Sequence, residues 1–109
     1  MVLEEAIVKY ANELEGVSMR ELEPETEHGA ERLVFYRGEK IFLVLEKGTN
    51  PLRIELRVDR QLSKTLQERY ESVMQGRALG RNGTEIICSG QLSDDEIIDL
   101  VRHGYEMSA

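Results

Sequence analysis

Seven residues, Leu52 to Val58, constrain the fold of this chain most. Leu52, Ile54, Leu56 and Val58 alternate strictly with Arg53, Glu55 and Arg57. Successive side chains of a strand point to opposite faces, so the segment places its aliphatic residues on one side and its charges on the other. That is a half-buried antiparallel strand with one packed face and one wet face. The charged residues are candidates for pairing across strands. Arg53 and Arg57 also make this the one sheet surface that offers two arginines to a ligand.

The flanking residues extend the pattern. Arg32–Tyr36 and Lys40–Leu45 are rich in β-branched and aromatic residues, with Gly38 between them as a tight hairpin requires. Gly48-Thr49-Asn50-Pro51 is the turn into the alternating strand. Asp59 then caps a second helix, with Leu62, Leu66, Tyr70 and Val73 as its apolar stripe and Gly76 ending the region. Asn82-Gly83 predicts a hairpin between a short strand at Arg77–Leu79 and a longer one at Thr84–Cys88.

Helices close both ends of this array. Leu3, Ala6, Ile7, Tyr10, Ala11 and Leu14 form one apolar stripe, and Gly16 is placed to end it in the left-handed conformation. Ser93-Asp94-Asp95-Glu96 is a capping box, Leu92 and Ile97 stand at the staple positions, and Ile97, Ile98, Val101 and Tyr105 form the buried stripe. Between the first helix and the first hairpin, Glu21, Glu23, Glu25 and Glu27 alternate around Pro24, which excludes a helix interior. A solvated connector or an edge strand is expected there, its charge discouraging edge-to-edge association.

The chain of 109 residues is long enough for one domain and one core without metal or disulfide staples. Its plan is a single unit over 1–109: an N-terminal helix in 1–16, an acidic connector in 17–31 and a core in 32–107. No segment approaches the roughly 18 apolar residues of a membrane span. With one cysteine and no export signal, a cytoplasmic setting is expected. The net charge of −7 is unevenly spread, because residues 53–81 carry 7 basic and 4 acidic side chains while both flanks are acidic. Only this middle segment has the sign for phosphate contact.

Catalytic and metal chemistry find little support. Cys88 lies among Ile86, Ile87 and Ser89 in an apolar strand, where a buried, inert thiol is expected, and nothing in the spacing brings His28 or His103 to it. Two histidines and one cysteine lack zinc-ligand spacing. Asp94, Asp95 and Glu96 are explained by the helix cap. Gly80 and Gly83 beside Arg81 suggest a phosphate cradle, yet the segment has neither the spacing nor the Lys-Ser/Thr of a phosphate-binding loop. No catalytic residue, cofactor or metal is assigned.

Five motifs, in order, carry a resemblance. They are Gly38-Glu39-Lys40-Ile41-Phe42, Pro51 to Arg57, Tyr70-Glu71-Ser72-Val73, Leu79-Gly80-Arg81 and Ser93 to Tyr105. Over roughly residues 30–107 the chain resembles the MmcQ/YjbR family of small bacterial proteins. The resemblance implies an α+β fold: two layers in the order α-β(3)-α-β(2)-α, with a mainly antiparallel sheet related in outline to type III secretion chaperones. It also implies DNA binding, the activity predicted for that family.

The expected function is therefore that of a non-enzymatic binding module, either a monomer or a homodimer, that does not engage membranes. An acidic protein steers poorly towards nucleic acid, so a protein partner is expected first. The alternative is DNA binding through the basic segment, with Arg53, Arg57, Arg60, Lys64, Arg77 and Arg81 as the candidate residues.

Overall fold

The computed structural model describes residues 2–109. Among them the chain forms helix α1 (Leu3–Glu13), strands β1 (Val17–Leu22), β2 (Arg32–Arg37), β3 (Lys40–Glu46) and β4 (Leu52–Arg57), and helix α2 (Arg60–Arg69). Strand β5 (Val73–Gln75), a 3-10 turn at Gly80–Asn82, strand β6 (Gly83–Cys88) and helix α3 (Asp94–Met107) complete it. The six strands make one antiparallel sheet in the order β1-β2-β3-β4-β6-β5.

The expected α+β class and antiparallel sheet stand, with three local changes. Val17–Leu22, the start of the acidic connector, takes the edge-strand alternative, adding a sixth strand paired along its length with β2. The second helix ends at Arg69, so Tyr70 closes it and Val73 belongs to a strand instead of the helical stripe. The strand expected at Arg77–Leu79 forms earlier, at Val73–Gln75. No tight hairpin turns at Asn82-Gly83, because Gly80–Asn82 takes up a 3-10 turn and residues 76–82 form a longer loop. The competing interaction is a carboxylate that gathers the amides of this loop, described below.

One face of the sheet is dry. Cross-strand partners share a face, so Leu33, Phe35, Leu43, Leu45, Ile54, Leu56 and Ile86 line up across β2, β3, β4 and β6. They form the core with Ile7 and Ala11 of α1 and Ile97 and Val101 of α3. Strand β3 carries a bulge against Phe35 and Tyr36, where Phe42 has no partner of its own. Phe42 and the adjacent Leu43 are both fully buried, which simple alternation does not allow. The Phe42 ring meets Tyr105 of α3 edge-on at 5.7 Å between centroids.

Three contacts fix α3 on this layer. A side chain at Gly104 would lie 3.0 Å from the Arg57 carbonyl and 3.4 Å from the Phe42 carbonyl, so glycine is what lets the helix backbone sit on the sheet. His103 Nε2 accepts the Asp59 N–H at 3.1 Å and ties α3 to the start of α2. The Arg37 guanidinium stacks 4.0 Å from the Tyr105 ring centre and donates to the Tyr105 carbonyl near the helix C-terminus. At the other end the capping box is formed in both directions. The Ser93 backbone N–H, and then its hydroxyl, hold the Glu96 carboxyl below its ordinary range.

Replacing Gly104 with valine should therefore lower stability by about 1–3 kcal/mol through overpacking, despite valine's better helix propensity. Thermal and urea melts read it directly. A melting point equal to that of the unaltered chain would show that α3 can lift off the sheet without cost.

Candidate functional site

Among the described residues no helix covers the second face of the sheet, and here the alternating strand behaves unexpectedly. Arg53 is exposed, Arg57 is half-buried and Glu55 between them is only 7% exposed. Among the described residues, the Glu55 carboxylate forms no ion pair with either of these strand neighbours or with a cation across strands. It accepts the backbone N–H groups of Arg77 and Ala78 at Oε1 (3.0 and 3.1 Å) and of Ala78 and Leu79 at Oε2 (2.9 and 2.7 Å). The loop after β5 thus cradles an anion, as its glycine-rich composition suggests, but that anion is the protein's own side chain.

Two glycines make room for it. A Cβ at Gly76 would fall 2.5 Å from Glu55 Cδ, and one at Gly83 2.6 Å from Glu55 Oε2. Gly76 N–H donates to the Gly83 carbonyl at 2.9 Å, and the Asn82 carbonyl accepts the Val58 N–H at 2.9 Å, closing the loop at its base. Leu79 is buried beneath it.

This loop separates two concave regions. The larger, about 820 Å³, runs beside α2 and is lined by Arg60 and Lys64 on that helix and by Arg81 from the 3-10 turn opposite. Gln61, Gln67 and Gln75 add amides, and Asp59 and Glu68 are its two acids. The Asp59 carboxylate is already engaged, capping α2 through the Gln61 and Leu62 N–H groups. Beneath the groove, buried Ser63 and Thr84 share a hydrogen bond of 2.6 Å, and the Gln67 amide donates to Ser63 at 3.0 Å. That contact anchors α2 to β6 and fixes the spacing of the groove walls.

The smaller region, about 450 Å³, lies on the open sheet face. Arg53 and Arg77 line it with Arg32, Glu25, Glu46, Glu55 and Glu85. Arg32 is paired with Glu25 at 3.0 Å, and Glu55 is held by the loop.

The candidate residues therefore fall into three groups. Arg60, Lys64 and Arg81 are brought together in the groove, whereas Arg53 and Arg77 meet on the sheet face. Arg57 joins neither, because its Nε donates to the Ile41 carbonyl at 2.6 Å and ties β4 to β3. Among the described residues, Arg53, Arg60, Lys64, Arg77 and Arg81 have no carboxylate within ion-pair distance. Sequence reasoning missed Glu55 as the organiser of this region. The available signal was a carboxylate in the strand together with Gly76 and Gly83, each of which read as a turn residue.

The thiol and the imidazoles are not assembled into a site. Cys88 faces Leu52 at the start of β4, whereas His103 bonds Asp59 beyond its far end, seven residues along. At the rise of a strand that separation is about 20 Å. His28 lies in the exposed segment between β1 and β2. Cys88 itself is half-buried, less enclosed than its apolar neighbours suggest. Burial, and secondarily the charge of Asp94, still push the thiol up to about 11.

No family model matches the sequence, and no curated protein matches it. Among solved structures, the chain is similar to the Deinococcus radiodurans protein DR2400, a DUF419 domain, with a TM-score of 0.78 at 19% identity. The match covers 95% of this chain and 76% of that one. At this identity the likeness establishes a shared fold, with the same α+β arrangement of an open antiparallel sheet and helices.

The raised thiol gives a direct test of the Cys88 environment. At pH 8 alkylation of the folded protein should run about 100-fold slower than that of the denatured chain, since only the thiolate reacts. The rate should climb as pH approaches 11. Equal rates for folded and denatured protein at pH 8 would show an accessible, reactive cysteine.

Proposed function

We propose that this protein is a non-enzymatic, YjbR/MmcQ-like binding module that holds nucleic-acid phosphates in the groove between α2 and the Gly80–Asn82 turn. One observation carries the reading: Arg60, Lys64 and Arg81 converge from two elements on one groove, without a carboxylate partner among the described residues. Cations left unpaired at a concave polar surface suit a phosphate backbone, which supplies most of the affinity in nucleic-acid binding. The DUF419 neighbour, whose domain is YjbR/MmcQ-like, supports the family reading at the level of the fold.

Charge placement answers the objection raised by the net charge of −7. Glu21, Glu23, Glu25 and Glu27 lie on or just after β1, at one edge of the sheet, while the groove lies beside β5, at the other. The groove cations thus lie at the sheet edge opposite this acidic run.

A protein partner, the first expectation from composition, has its own observation. Strand β1 is an outer strand exposed over most of its length, suited to the addition of an extended peptide. Its apolar residues do not form a patch, however. Met19 pairs with Phe35 and Leu22 with Arg32, which puts the two on opposite faces. Among the described residues, Val2 is the other large exposed hydrophobic. A surface this polar favours the electrostatic reading.

Fluorescence anisotropy with a short labelled duplex at low salt tests the proposal. Binding should weaken as salt rises, with a log–log slope at least as steep as about −3, the share of the three groove cations. Arg60→Glu combined with Lys64→Glu and Arg81→Glu should abolish it. A flat titration with duplex and single strands would sink the nucleic-acid reading.

A further inference from the structure

We infer that Glu55 is the positioning residue of the anion-binding surface. By holding the loop at residues 76–82, it fixes Arg77 and Arg81 on either side of the sheet edge, so that one polyanion contacts both concave regions. This inference rests on the phosphate-binding reading above and adds to it a wider surface and a residue that sets its geometry.

The two arginines stand four residues apart on the same loop but line different concavities, Arg81 the α2 groove and Arg77 the open sheet face. A flexible loop would have to order itself on binding, and that entropy cost would be subtracted from the affinity. Here the ordering is done in advance. Glu55 reaches from β4, a strand in the interior of the sheet, and its oxygens take the N–H groups of Arg77, Ala78 and Leu79. The carboxylate fills the space that Gly76 and Gly83 leave open. With the amides of residues 76–79 occupied, the Arg77 side chain is what that stretch leaves for a ligand. Arg53 faces the same concavity as Arg77 and continues the cationic line onto the sheet.

The sign of one substitution separates positioning from charge. Glu55→Gln removes a negative charge beside the arginines, which by charge alone would tighten the binding of a polyanion. It also replaces one carboxylate oxygen with an NH₂ group that cannot accept the loop's N–H groups. Positioning therefore predicts weaker binding, by about tenfold, as the loop loses its preorganised shape. Gly83→Ala gives an independent arm, because it displaces the carboxylate and leaves every charge in place.

The experiment measures duplex affinity and its salt dependence for the unaltered protein, Glu55→Gln, Gly83→Ala and Arg77→Gln. Amide hydrogen exchange reports on the loop and on the rest of the sheet. The expected result is weaker binding in all three variants and a salt slope shallower by about one in Arg77→Gln. In the first two, exchange protection should be lost at residues 77–79 and kept in β2, β3 and β4. If Glu55→Gln does not fold, Glu55→Asp, one methylene shorter, takes its place. Unchanged or tighter binding in Glu55→Gln and Gly83→Ala, with the loop amides unprotected, would overturn the inference and leave the phosphate reading standing. Failure of the unaltered protein to bind duplex removes both, and is seen before any variant is made.

Discussion

The carboxylate of Glu55 on the amides of residues 77–79 is the interaction on which the polar half of this molecule depends. An ionised side chain at 7% exposure would be very costly if unpaired. It is tolerated because four charge-assisted contacts from three consecutive backbone N–H groups surround its two oxygens. The same contacts satisfy donors that a loop turned in towards the sheet would otherwise bury. Glu55, Gly76 and Gly83 are thus one unit spread over three stretches of sequence, and none of the three explains itself alone. Because the loop is pinned, Leu79 can be buried on a face that has no helix to cover it.

That arrangement also accounts for a pair that looks unfavourable on paper. Glu55 and Glu85 are direct cross-strand partners on β4 and β6, where like charges repel. Glu55 turns its charge into the loop amides, and Glu85 stays half-exposed. Arg57, two residues along the same strand face, bridges β4 and β3 through the Ile41 carbonyl. The wet face of the sheet is therefore organised by contacts between side chains and backbone, and little by ion pairs.

Much of the fold was legible because it follows from periodicity and capping. The stripe of α1, the capping box of α3 with Leu92 and Ile97 buried, the hairpin at Gly38 and the alternating β4 all formed where the pattern put them. Gly16 and Gly38 take positive φ, as turns there require. The misreadings share a physical cause. Tyr70 and Val73 continue the helical spacing of α2, but Val73 gains a core position opposite Ile86 that a helix could not give it. Asn82-Gly83 is a strong local hairpin signal, overridden by a carboxylate 27 residues upstream of Asn82. Val17–Leu22 is not a misreading: its sequence allows a connector or an edge strand, because it pairs on one side only and has almost no burial pattern. As for the candidate site, the basic segment itself could be read from the sequence. It could not show that Arg57 is spent internally, or that the other five residues divide between two surfaces.

The bulge in β3 has a consequence for how uniquely the sheet is specified. Alternation on its two sides is out of phase by one residue, with Phe42 and Leu43 both directed into the core. A regular strand can slide two residues along its neighbour and still present apolar side chains inward. β3 cannot, because any slide moves the bulge away from Phe35 and Tyr36 and takes Phe42 away from the Tyr105 ring. One unpaired residue thus acts as a detent for the β2–β3 hairpin and, through Tyr105, sets where the last helix comes to rest.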